Sequence, residues 1–225
     1  ILLLTLLVMS IQTTWAQALE KKDLTEDCDF VAGTISFTLP EGNSNCTWKV
    51  GGKEINEGIT NDKRALTLEM SQKTDTVEVA YTDANQTRQA LSFEVEPKVY
   101  GEEYNGVNNT KVKFYSEEDF KGHGTKEDPY IISTDLELAK LAHDVTNGNE
   151  TQVLSGTYFK LSEDIDLSKG IWMPIGTWNT TTQHFFAGKF NGDGHAIKNM
   201  LIQWTNVNGK EASWGLFSRL NGKGN

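Results

Sequence analysis

Between Asp27 and Val95, apolar residues recur at every second position in short runs: GTISFTL (33–39), CTWKV (46–50), ALTLEM (65–70), DTVEVAYT (75–82) and QALSFEV (89–95). The turn-forming stretches PEGNSN, GG, NDK and DAN interrupt them. Alternation such as Ile35/Phe37/Leu39 and Val77/Val79/Tyr81 puts one face of each strand on a core and the other in water. Five such strands spaced by turns predict two stacked sheets.

Residues 98–121 are polar and rich in Glu and Asn, with one candidate strand at KVKFY (111–115). They read as a linker whose joint is free to bend. The period then changes from 2 to 3.6. Thr134 and Glu137 form a T-x-x-E capping box, and Leu138, Leu141, Ala142 and Val145 fall on one helical face. This predicts a helix from about Asp135 to Asn147, with Gly148 as its C′ residue. TYFKL (157–161), Ile165/Leu167, Phe186/Phe190 and AIKNMLIQ (196–203) return to strands between Gly and Asn turns.

Two resemblances sharpen this outline. Trp48, two residues after Cys46, resembles the buried tryptophan of immunoglobulin-like domains, so residues 19–97 are read as an Ig-like β-sandwich. From Gly122 to Asn225, the ordered motifs GTKEDPYIIST, LELAKLAHDV, TYFKLSEDIDLS, WMPIG, FFAGKFNGDGHAIKNMLI and WGLFSRLNGKG are similar to the opening of secreted bacterial proteins that carry the GLUG motif. That resemblance implies a right-handed parallel β-helix of pectin-lyase-like architecture, with residues 122–225 supplying its capping helix and first coils. The expected fold is therefore mainly β: an N-terminal Ig-like β-sandwich, then the helix-capped, truncated start of a parallel β-helix. Some members of this wider group are adhesin-like, and others carry protease or glycan-processing domains elsewhere in their chains.

A strand solenoid leaves unpaired backbone and core side chains at its open end, and an amphipathic helix laid across that end covers them. Leu138, Leu141 and Val145 would then face the core, with Lys140, His143 and Asp144 outward. The corners call for residues that accept positive φ, which is the expected use of Gly192 and Gly194 beside Asn191 and Asp193.

Charge narrows the partners. Acidic residues number 31 against 21 basic ones, a formal charge of -10 with no Lys/Arg run to interrupt it. Such a field disfavours nucleic acid and anionic membranes. Ile1–Ile11 is almost wholly apolar and is followed by Ala16 and Ala18 in a small-x-small pattern, so residues 1–18 read as the rear of a cleaved signal peptide. The mature chain offers no other membrane span, and a secreted or cell-surface location is expected. Ile at position 1, and a repeat pattern still running at Asn225, give the expectation of a fragment.

Export would allow a disulfide between Cys28 and Cys46, the alternative being two buried free thiols. GHG (122–124) and GDGH (192–195) lack the third glycine of a dinucleotide loop, and H-E-x-x-H, G-x-S-x-G, C-x-x-C and P-loop motifs do not occur. No catalytic residue, metal ligand or cofactor is assigned, and Asp193 and His195 are read as turn residues. The candidate ligand contacts are Trp178 and Trp204, as exposed stacking faces, and Asp164 and Asp166, which alternation sends to one solvent face; Trp172 and Trp214 are assigned to the core. The expected function is a noncatalytic adhesin-like scaffold that meets an extracellular glycan or host protein. The alternative is the N-terminal part of a secreted glycan-active enzyme or a GLUG-containing protease.

Overall fold

Seven strands, β1 (Thr25–Asp29), β2 (Thr34–Thr38), β3 (Ser44–Val50), β4 (Lys53–Glu54), β5 (Ala65–Glu69), β6 (Asp75–Thr82) and β7 (Arg88–Val95), form two antiparallel sheets ordered β1-β2-β5 and β4-β3-β6-β7. The computed structural model describes residues 18–148, 152–178, 183–203 and 215–218. Residues 1–17, which hold all but the last position of the expected signal peptide, lie outside the described residues, as do Trp204 and Trp214.

The alternating residues do what their period requires. Ile35, Phe37 and Leu39 are buried from one sheet, and Trp48, Val77, Val79 and Tyr81 from the other. The Phe37 and Phe93 rings meet edge to face across the gap at 4.9 Å. Trp48 is fully buried and satisfies its indole by donating to the Lys63 carbonyl at 2.8 Å, so its large apolar surface is buried without leaving a polar atom unpaired.

The expected Cys28–Cys46 bridge is not formed: both cysteines are buried free thiols. Cys28 stands opposite Ile35, which lines one cleft with Asp75 at the start of β6 and Val95 at the end of β7. Cys46 lies between the Ser44–Thr82 and Thr47–Ala80 pairs at the other end of β6. Several residues of strand, at ~3.3 Å each, separate the two levels, whereas a disulfide needs Cα atoms within about 7 Å.

The linker differs most from expectation. It holds a short hairpin, β8 (Glu103–Asn105) with β9 (Lys111–Lys113), and buries Tyr100, Phe114 and Tyr115. Phe114 stacks on Phe30 of the first half at 4.3 Å and on Tyr100 at 4.1 Å, while Tyr100 reaches Trp172 at 6.0 Å. Backbone bonds join Tyr100 N to Ile171 O (3.0 Å) and Ile171 N to Lys98 O (2.9 Å). Beside them the Gln72 side-chain amide donates to the carbonyls of Leu167 (2.9 Å), Gly170 (2.9 Å) and Asn199 (2.7 Å). Buried rings and paired backbone make this joint a packed clasp instead of a bend.

Beyond it come β10 (Tyr130–Ile132), α1 (Asp135–Thr146), β11 (Gln152–Val153), β12 (Tyr158–Leu161), β13 (Ile165–Asp166), β14 (Thr177–Trp178), β15 (Gln183–Phe186), β16 (Lys189–Asn191) and β17 (Ile197–Lys198). Here the pairing turns largely parallel: β10-β12-β16, β11-β15 and β13-β17, with β14 antiparallel to β15. Each parallel partner returns about 30 residues later, a period within the range of stacked repeats. Tyr130, Phe159 and Phe186 form an aromatic file through these levels, at 5.4 and 5.8 Å. The chain is thus mainly β, with a single α-helix among the described residues.

α1 is the amphipathic helix that the sequence predicts. Leu138, Ala139, Leu141, Ala142 and Val145 are fully buried, while Lys140 and Asp144 pair outward at 3.3 Å. The Thr134 hydroxyl accepts from Glu137 N at 3.1 Å, and the Glu137 carboxylate accepts from the backbone of Ser133 and Thr134. Two expectations change here. His143 is half-buried: its ring stacks on Tyr115 at 3.9 Å and Nδ1 donates to the Gly101 carbonyl at 2.9 Å. Gly148 does not adopt the left-handed C′ conformation; a Cβ there would stand 2.6 Å from Val153 Cγ2, so the position is small because β11 passes close by. At the outer edge of β10, Ile131 N donates to the Lys121 carbonyl at 2.9 Å.

Candidate functional site

Asp164 and Asp166 flank Ile165 on β13, and period-two geometry does send both outward while Ile165 and Leu167 are buried. Their carboxylates turn to the chain stacked beside them. Asp164 accepts from the Ala196 amide at 2.9 Å and from Lys198 Nζ at 2.6 Å, with His195 Nδ1 at 3.6 Å. Asp166 accepts from the Ser168 amide and from Asn199 Nδ2, both at 2.9 Å.

Asp193 repeats the arrangement in the other direction. It lies in the turn after β16 and pairs with Lys160 of β12 at 2.7 Å. The turn carries positive φ at Asp193 (+47°) and Gly194 (+85°) and is closed by His195 N donating to Gly192 O at 2.8 Å. Positive φ at both central residues makes this a type I′ turn, which Asp-Gly accepts readily. Gly192 itself has no positive φ, so only Gly194 does the conformational work expected of the pair.

The electrostatics follow from these donors. The Lys198 ammonium, and then the Ala196 amide, hold the Asp164 carboxyl down to about 2. Asn199 lowers Asp166, and Lys160 lowers Asp193. All three are ionised at neutral pH, the opposite of the raised pKa a carboxyl needs to act as a general acid. What this cluster can do is lock neighbouring strands in register. Among the described residues, no three His, Cys, Asp or Glu side chains gather as a metal site.

The sequence reading placed these carboxylates on the right face but missed their partners Lys160, Lys198 and Asn199. The signal was present: Lys198 and Asn199 follow Ile197 as Asp166 follows Ile165, and Ile165 and Ile197 are parallel register partners. Of the aromatic candidates, Trp178 lies on β14, with only its backbone described, and Trp204 lies outside the described residues. Trp172 is buried and donates to the Leu216 carbonyl at 3.3 Å, as a core residue should.

No family profile matches the chain, and no solved structure matches it at a significant level. Two curated proteins do. Halomucin of Haloquadratum walsbyi is 34% identical over 125 residues, which is 51% of this chain and 1% of that protein. A protein of Evansella cellulosilytica, named as a Gly-rich membrane protein, is 32% identical over 93 residues, or 39% of this chain and 9% of its own length. The chain is therefore similar to short segments of much longer proteins.

Proposed function

We propose that this chain belongs to an exported, noncatalytic surface scaffold, in which an Ig-like sandwich (19–97) and a joint (98–121) carry the helix-capped start of a right-handed parallel β-helix of the GLUG type (122–225). The observation that carries the reading is the use of Asp164, Asp166 and Asp193: each carboxylate bonds the neighbouring coil and holds no proton to give at neutral pH. The parallel returns at about 30 residues and the buried face of α1 support a stacked solenoid with a closed end. Similarity to segments of halomucin and of a Gly-rich membrane protein supports an exported setting. No helix of the described residues is long and apolar enough to cross a membrane. In this reading the outer faces of the sheets meet extracellular glycans or proteins.

The test incubates the purified chain with immobilised polysaccharides and with extracellular proteins, and measures both retention and product release. Retention without new reducing ends or peptide fragments is the expected result. Turnover abolished by Asp164→Asn or Asp166→Asn would overturn the scaffold reading.

A further inference from the structure

The outer face of β12 and β16 departs from the rest of this acidic molecule. Phe159 and Leu161 point into the core, so Tyr158 and Lys160 point out; on β16 the outward pair is Lys189 and Asn191. Register sets Tyr158 beside Lys189 and Lys160 beside Asn191, one strand spacing of ~4.8 Å apart. The Lys126–Pro129 turn walls one side of an open groove of about 520 Å³. Three lysines line it against one acid, Glu127, in a chain of net charge -10. Lys160 is neutralised by Asp193, whereas Lys126 and Lys189 have no acidic partner among the described residues.

We propose that this groove binds an acidic glycan chain, its anionic groups on Lys126 and Lys189 and a sugar face on Tyr158. The proposal rests on the scaffold reading and names its ligand class. Aromatic rings accept the apolar face of a sugar, and neighbouring ammonium groups supply the counter-charge. A peptide main chain cannot add to β12, because β10 and β16 already pair with both of its edges. A polyphosphate has no apolar face to lay on the Tyr158 ring, so it would lose that contact.

Calorimetric titration of the whole chain with a sulfated glycosaminoglycan, a polyuronate, neutral dextran and poly-glutamate tests this. Binding to one or both acidic glycans that weakens with salt, and not to dextran, is expected. Lys126→Glu with Lys189→Glu should weaken it at least tenfold, while Lys53→Glu with Lys73→Glu, the same charge change elsewhere, should not. Tyr158→Ala should also weaken it. The groove is refuted if both double variants lose affinity equally, if neither acidic glycan binds, or if poly-glutamate binds as tightly and ignores Tyr158→Ala. Dextran or protein binding that survives Lys126→Glu with Lys189→Glu would refute the groove yet leave the scaffold reading standing.

Discussion

Tyr100 and Phe114 stack at 4.1 Å with both rings fully buried, at the point where the antiparallel sheets meet the parallel strands. Because Phe114 also stacks on Phe30, it belongs to the core of both halves. Phe114→Ala should therefore cost about 3–5 kcal/mol, the usual range for deleting a buried aromatic ring. Chemical unfolding followed by tryptophan fluorescence would check this. The wild-type chain should unfold in one transition that engages Trp48 and Trp172 together, and the variant in two.

The thiols give a simple count. Burial pushes Cys28 up to about 11 and also raises Cys46, so neither is appreciably a thiolate at pH 8. A chromogenic disulfide reagent should find almost no reactive thiol in the folded chain and two per chain in denaturant. None in denaturant would mean the two are bridged after all.

Asp164 sets an acid limit on the cross-strand lock. Its folded pKa lies below the unfolded value of ~3.9, so the contribution is present above that value and is lost as pH falls through about 2. Carboxyl titration by NMR should show Asp164 ionising near 2, and Lys198→Ala should move it back toward the ordinary range.

Thr134→Ala removes the hydroxyl that accepts from Glu137 N and should cost about 1 kcal/mol in urea unfolding. Glu137→Ala should cost more, because its carboxylate accepts from Ser133 N, Ser133 Oγ and Thr134 N together.

Local period carried much of this architecture in the sequence. DTVEVAYT is β6 residue for residue, and the capping box starts α1 where T-x-x-E places it. β1 was missed because TEDCD buries only Cys28, leaving no alternation to read. AIKNMLIQ yields only the short β17, with Met200 and Leu201 exposed. The clasp was hidden for a different reason: Tyr100, Phe114 and Tyr115 are scattered among polar residues, and their burial depends on rings far away in the chain. The same holds for the candidate site. Lys126 and Lys189 are unremarkable in sequence and come to line one groove only when β16 returns beside β12.

The Gln72 amide has two hydrogens and three carbonyl acceptors, drawn from Leu167, Gly170 and Asn199. Leu167 and Gly170 sit on one level of the stack and Asn199 on the next, so a slip between levels would pull one acceptor away from the others. One side chain of the antiparallel half thus gauges the spacing of two levels in the parallel half. A register slip there would strand one of these carbonyls without its donor.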